Sequence, residues 1–569
     1  MTSFWCVGLL FVVGTVSPLP AQGPRNDPKH DGTIKAAVSV NPTLFKRQLQ
    51  LIEERRSSWL AKAEKATPKL LRTPKKPVAA VKVEKDTASF QGWKVIATDK
   101  PESVCNRPLL PGDSFILDFG EHFTGQIVFS LRRFEIPVDA PVRLAFIFGE
   151  VPAEVAEPFD PYPGGLTRSW LQDEVVNFDD VPQTVTLPRR YAFRYLKVTV
   201  VSCSKHGKFG FSDIHADAIS SADEARLLPF TPRNADEAAL DRVSRRTLRD
   251  CMQTVFEDGP KRDRRLWLGD LRLQALANYA TYRNHDLVKR SLYLLAGTAT
   301  KEGLVSTCAF EQPQPSRGDN SILDYTALLA PTVLEYLQAS GDRRTAEDLW
   351  PLVLKQLEFT LEFVNPEGLF VSPKGWWLFV DWNRTLDKQA PEHAIILFGL
   401  KATRRLAAEL GKDGEAAFMD EIIPRMESAA RKHLWDESLG MFVSGPKREL
   451  SWAAQAWMVL AGIPSAEQGR RAMLAVMSDP KAEKPVTPYL HHYVIEALLL
   501  VGLKPEADAL LHAYWGGMIR KGADTFWEVY LPEDEQASPY KSHLMNSYCH
   551  AWSCTPTYLL RRSSRLISP

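Results

Sequence analysis

The hydrophobic period of this chain changes from strand-like to helical between residues 220 and 232, and that change limits what it can fold into. From about residue 88 to 220, apolar residues alternate or run over short lengths. "FILDFGEHFTGQIVFSL", "APVRLAFIFGE", "QTVTLP" and "RYLKVTVVS" are separated by Gly, Pro and Asp. A period of two belongs to strands, and several short strands split by turn residues predict a β-sandwich over residues 88–225. Over residues 232–562 the period is helical. About twelve helical segments succeed one another there, from "DEAALDRVSRRTLRDCMQTV" to "HLMNSYCHAWSCTPTYLL". Six antiparallel pairs would close an (α/α)6 toroid with its loops gathered at the ends. A superhelical repeat array is the competing architecture, but no repeat of fixed period is visible.

Where the helical region begins, the charge pattern is unusual. "FEDGPKRDRRLWLGDLR", Phe256 to Arg272, sets Asp258, Asp263 and Asp270 among Lys261, Arg262, Arg264 and Arg265, with Trp267 in their midst. A solvated loop explains the charges; it explains the tryptophan and glycines less well. A second acid of interest is Glu528 in "GADTFWEVYLPE", beside Phe526 and Trp527. Aromatic neighbours desolvate a carboxyl and raise its pKa, whereas arginines lower it. Glycoside hydrolysis needs two carboxyls, one to protonate the departing oxygen and one to activate water or attack carbon. The loops of a toroid can bring such a pair together across a central pocket.

Composition narrows the function classes. Lys+Arg number 70 against 69 Asp+Glu, so no charge excess points to nucleic acid or an anionic membrane. The 15 Trp lean weakly toward sugar stacking. Cys105, Cys203, Cys251, Cys308, Cys549 and Cys554 are too sparse for a disulfide framework, and no Cys/His spacing suits zinc. Phe4 to Val16 is apolar but too short to span a bilayer, so residues 1–21 read as a secretory signal, despite an n-region without Lys or Arg. Residues 22–87 read as a polar tether, one helix carrying Leu44, Ile52 and Leu60, and a Lys/Pro-rich linker, "TPKLLRTPKKPVAAVKVEKD".

Five motifs carry a family resemblance. "DGPKRDRRLWLGD", "GADTFWEVY" and "HAWSCTPTYLL" resemble, in order, three signatures of the bacterial α-L-rhamnosidases of glycoside hydrolase family 78 and their six-hairpin relatives. "LDFGEHFTGQIVFSL" and "RRYAFRYLKV" resemble segments of the family's preceding β domain. The resemblance implies an inverting hydrolase that needs no metal or organic cofactor. It implies Asp263 as general acid and Glu528 as the base that activates water. It implies that Asp258 and Asp270 bind sugar hydroxyls, that Trp267 stacks on the ring, and that His550 lies in the pocket. Asp263 stands where the family has Glu, one methylene longer, although a branch of relatives has a similar pattern. The family's usual β-sandwich after the barrel is not expected here, since the sequence ends soon after Leu560.

Further candidates for sugar binding are Asp381 and Trp382 in "WWLFVDWNR", a loop that the resemblance places at the pocket edge, Trp527 beside Glu528, and Arg262, which belongs with Arg264 and Arg265 to a set expected to split between pairing with Asp258 or Asp270 and solvation. Asp324 and Tyr325 are possible lining residues, whereas His491, His492, Trp452 and Trp457 read as core and Glu311 as a loop acid. The expected partner is a carbohydrate carrying a terminal α-L-rhamnoside or similar deoxy sugar, with no nucleic acid and no membrane span. Two readings compete: the same fold acting on another sugar, such as a uronide, and a carbohydrate-binding relative without turnover.

Overall fold

A computed structural model describes residues 42–134, 137–373 and 375–565. The expected signal, residues 1–21, and the tether after it lie outside the described residues. The chain begins with helix α1 (Pro42–Lys65), whose buried stripe is Phe45, Gln48, Ile52, Trp59 and Ala63. That spacing keeps one face of a helix apolar.

The segment expected to be a linker is strand instead. β1 (Leu71–Lys75) pairs antiparallel with β9 (Phe209–Ser220), and β2 (Ala79–Lys85) pairs with β3 (Trp93–Asp99) and β4 (Ser114–Arg133). β1 is an edge strand, exposed over most of its length. Lys and Pro are the residues that edges tolerate and that blunt pairing with other chains. Composition that reads as a linker is here an edge signature.

β5 (Val142–Gly149), β6 (Asp173–Phe178), β7 (Gln183–Thr186) and β8 (Tyr191–Ser202) complete a nine-stranded antiparallel sheet. The 20-residue β4 gives it depth: its first half pairs with β8 and its second with β9 and β7. The two halves face each other across a phenylalanine core. Phe115 meets Phe211 edge-on at 5.7 Å, and Phe129 stacks on Phe146 at 5.3 Å. Gly125, at the crossover, is in register with both Tyr191 and Ala218. A side chain there would strike the Asp217 carbonyl.

Twelve helices of nine or more residues follow in pairs among the described residues: α2 (Ala235–Cys251), α3 (Leu268–Ala280), α4 (His285–Gly297), α5 (Leu323–Ser340), α6 (Arg343–Leu361) and α7 (Gln389–Leu410), then α8 (Met419–His433), α9 (Trp452–Leu460), α10 (Ala466–Ser478), α11 (Pro488–Leu500), α12 (Lys504–Arg520) and α13 (Pro556–Arg565). The odd-numbered helices α3 to α13 contact one another in a closed ring, and the even-numbered ones lie outside it. Inner helices are apolar on nearly every side, as burial all round demands. α1 packs outside α4 and α6, a third layer of the wall.

One expected helix does not form as a unit. "HLMNSYCHAWSCTPTYLL" makes two short 3₁₀ turns, His543–Met545 and Ala551–Ser553, and becomes α-helical only from Pro556. Its backbone is engaged elsewhere: Ala551 N donates to the Asp258 carbonyl at 2.7 Å, and Glu528 N to the Ser547 carbonyl at 2.9 Å.

Candidate active site

The opening signature folds as a turn held from behind. The Asp258 and Arg265 backbones pair (Asp258 N to Arg265 O, 3.0 Å), and Asp258 Oδ1 accepts from Arg265 N at 3.1 Å. Lys261, fully buried, donates to the Leu544 carbonyl at 2.8 Å, the Asn546 carbonyl at 2.7 Å and the Glu154 carboxylate of the β domain. Asp263 and Arg264 take left-handed φ of 64° and 53°, a cost that non-glycine residues bear mainly at functional sites. The chain then makes one ladder step, Trp267 opposite Cys308, and enters α3 with Asp270 in its first turn. A side chain at Gly269 would strike the ring of Tyr325, and one at Gly259 would come within 2.8 Å of Ser547 Oγ. The glycines are therefore packing requirements.

Arg262 joins the two acids proposed from sequence. Its guanidinium lies 3.4 Å from Asp263 Oδ1 and bonds Glu528 Oε2, while its Nε donates to the Met545 carbonyl at 3.1 Å. Glu528 is held further by Ser547 N at 3.0 Å and the Tyr540 hydroxyl at 2.5 Å. Asp263 and Glu528, 265 positions apart in sequence, thus face one cavity of about 510 Å³. That lies within the range of about 300–1,000 Å³ for small-ligand sites. Asp258, Arg262, Trp267, Asp270, Trp382 and His550 line it too.

The cavity wall carries polar atoms without partners. Asp270 Oδ1, His550 Nδ1, Asn320 Oδ1, Trp267 Nε1 and Trp382 Nε1 are buried and make no hydrogen bond. Buried polar groups are normally satisfied, so a concentration of orphans in one cavity marks the place of a ligand rich in hydroxyls. Between them stand Trp377, Phe379, Tyr325 and Trp552, apolar faces on which a sugar ring can lie.

Electrostatics divide the acids. Burial works against ionisation of Glu528, but Arg262, His550 and Tyr540 outweigh it and bring its pKa down to about 2. Burial, then the charges of Asp263 and Asp270, pushes the Asp258 carboxyl well above its ordinary value. Burial, then Glu528, does the same to Asp270. His550 is driven down to about 3 by burial and by Arg262, which keeps its ring neutral. Glu528 is thereby held as a carboxylate, and Asp258 and Asp270 are biased toward a protonated form able to donate as well as accept.

Two models of known families match this chain. The glycosyl hydrolase family 78 α-rhamnosidase N-terminal domain matches residues 77–218. The bacterial α-L-rhamnosidase six-hairpin glycosidase domain matches residues 230–563, more than half of the sequence. The chain belongs to the bacterial α-L-rhamnosidases of glycoside hydrolase family 78. A rhamnosidase from Klebsiella oxytoca, solved with rhamnose bound, is 42% identical, covers 89% of this chain and 99% of its own, and superposes with a TM-score of 0.87. The family 78 rhamnosidase of Bacillus sp. GL1 shares the fold at 24% identity and a TM-score of 0.69, over 83% of this chain and 49% of that one. Among curated proteins, an N,N'-diacetylchitobiose phosphorylase from Vibrio proteolyticus is 27% identical over 176 residues, only 21% of its length and 26% of this chain.

Within this family 78 chain, two residues expected at the sugar do not line the cavity. Asp381 is buried beside it and accepts from Val486 N (2.7 Å), Thr487 N (3.1 Å), Thr487 Oγ1 (2.5 Å) and Trp382 N (2.9 Å). It ties the tryptophan loop to the start of α11, and burial raises its pKa to about 6 against those bonds. Trp527 points away from its neighbour Glu528. It stacks on Phe90 at 4.2 Å and borders a separate cavity of about 380 Å³ at the junction with the β domain. Of the weaker candidates, Tyr325 lines the site, while Asp324 accepts from Phe379 N and Val380 N and supports the tryptophan loop. His491 and His492 are buried among aromatic rings, and Glu311 pairs with Arg290 at 2.6 Å.

Sequence reasoning missed Tyr540, whose hydroxyl bonds Glu528 and whose ring lies 4.3 Å from the Arg262 guanidinium. It also missed Gly165 and Leu166, lent to the cavity by the β domain. Tyr540 stands in an irregular loop without periodicity, and nothing local marks it.

Proposed function

We propose that this protein is an exported hydrolase that removes terminal α-L-rhamnosyl groups by single displacement with inversion. Asp263 protonates the departing glycosidic oxygen. Glu528, kept ionised, takes a proton from a water on the opposite face of the ring. In inverting enzymes the two carboxyls stand about 6.5–9.5 Å apart to admit that water. A guanidinium spanning both acids is in keeping with such a gap. Asp258 and Asp270 grip hydroxyls, Trp267 stacks on the ring, and His550 donates or accepts from a neutral imidazole. The aromatic wall suits the C6 methyl of a deoxy sugar. The observation that carries the proposal is the sharing of Arg262 by Asp263 and Glu528 at a cavity of unpartnered polar atoms. The Klebsiella relative, solved with rhamnose, supports the choice of sugar.

The test is the anomer first released from an α-L-rhamnoside, followed by proton NMR. Inversion gives β-rhamnose; prompt release of the α anomer refutes the mechanism. Glu528→Gln should lower kcat by about 10²–10⁴, the usual worth of a general base, while rhamnose still binds. Asp263→Asn should lose as much on a sugar leaving group but far less on a nitrophenyl one, which departs without protonation. Cleavage of only a non-rhamnoside in an aryl glycoside panel would reassign the sugar. Binding with no turnover by the parent protein would make it a lectin-like relative. Export is checked by N-terminal sequencing of the mature protein, with cleavage expected near Ala21.

A further inference from the structure

The cavity runs from acidic side chains at its floor to basic ones at its mouth. The floor holds Asp258, Asp270 and Glu528, all buried, with half-buried Asp263 beside Arg262. The mouth holds Arg384 and Lys541, both exposed, with half-buried Arg265 beneath them. Asp319 is the acid among the mouth residues. Among the described residues these three cations form no ion pair. Arg265 is instead braced between two rings, 4.6 Å from the centre of Phe310 and 6.0 Å from that of Trp170. Arg384 makes a single long bond, 3.4 Å, to the Pro539 carbonyl. Lys541 is held at a left-handed φ of 65°, directly after the tyrosine that bonds Glu528.

Aromatic bracing fixes an arginine without neutralising it. Three cations outnumber Asp319 at a mouth that Trp377 and Trp382 also line, so the surface has both a stacking face and an excess of positive charge. Below them Glu528 and Asp263 share Arg262, and Asp258 and Asp270 favour their uncharged forms.

Resting on the rhamnosidase reading, we propose that the leaving-group side of this cavity is built for an anionic sugar, a hexuronate carrying the rhamnosyl group. The uronate ring stacks on the rim tryptophans, and its carboxylate meets Arg384 and Lys541, with Arg265 behind. Guanidinium groups suit carboxylates because they can donate two parallel bonds. The cleaved sugar itself stays neutral, so the charge preference belongs to the leaving group alone.

The experiment compares kcat/KM for α-L-rhamnosyl-(1→4)-glucuronate and for its methyl ester, which has the same linkage and no charge. At low salt the acid should be preferred by about tenfold, and the preference should shrink as ionic strength rises. Arg384→Gln with Lys541→Gln should bring the acid-to-ester ratio to within about twofold of one, as steering by the rim charges is lost. A ratio near one in the parent, or a ratio the double variant leaves intact, overturns the proposal. If a neutral aryl α-L-rhamnoside is cleaved in the same experiment, only the leaving-group assignment falls. If it is not cleaved either, the rhamnosidase reading falls as well.

Discussion

Arg262 sets the ionisation of Glu528, the proposed base. Its positive charge, with His550 and Tyr540, brings Glu528 down to about 2 although burial alone would raise it. Replacing Arg262 by Met leaves the burial and removes the largest opposing charge, so the pKa of Glu528 must rise. A base acts only when ionised, so the acid limb of kcat/KM should move to higher pH in Arg262→Met, as a pH–rate profile will show. Asp270 carries the opposite sign. Burial, with the charges of Glu528 and Asp263, raises its folded pKa well above its unfolded value, so between the two the folded state holds the extra proton. Stability contributed by that proton is present below the unfolded value, about 3.9, and falls as pH rises toward the folded one. Asp270→Asn removes the titration. Its melting temperature should exceed the parent's by a margin that grows with pH, while activity falls because the sugar loses a partner. A margin that shrinks with pH would contradict this account.

At the scale of elements, the site is a meeting of segments that are not themselves regular. The turn at 258–265 and the loop at 376–384 bond to neighbouring segments, and the segment at 526–550 folds back on itself, with Glu528 N donating to the Ser547 carbonyl and His550 N to the Phe526 carbonyl. This is why the last motif did not become the single helix its pattern predicts. It is also why Asp381, expected at the sugar, is instead a fastener between the tryptophan loop and α11. Gly269 shows how tightly α3 is pressed into place. In Gly269→Ala the added methyl meets the Tyr325 ring, and overpacking of this kind costs about 1–3 kcal/mol. Urea denaturation should show a loss in that range. Because Tyr325 lines the cavity, KM for the rhamnoside should rise together with the instability.

At the scale of the whole molecule, the β domain and the barrel are joined through the site. Lys261, beside the arginine that spans the acids, is buried and pairs with Glu154 of the β domain; His122 of β4 lies 2.8 Å from Asp250 of α2. Glu154 accepts from Lys261 and from the backbone N–H groups of Glu150 and Val151, and leaving buried donors without an acceptor costs about 1–3 kcal/mol. Glu154→Leu should therefore destabilise the chain more than Glu154→Gln, which keeps an acceptor oxygen, as read by chemical denaturation. Equal stability of the two variants would refute that role. The sequence by itself determined the two-part fold and most of the chemistry-bearing residues. The change of period places the sheet and the helices, and the signature motifs place Asp258, Asp263, Asp270, Glu528 and His550, because periodicity and local motifs are properties of neighbours along the chain. Tertiary structure alone decided which face each side chain takes and what meets it across the fold. It turned Trp527 away, buried Asp381 in backbone donors, made strands of a Lys/Pro-rich stretch by giving it a sheet edge, and brought Tyr540 to the base. Those outcomes depend on contacts between residues well separated along the chain, from 12 positions for Tyr540 and Glu528 to 437 for Trp527 and Phe90, and no local pattern encodes them.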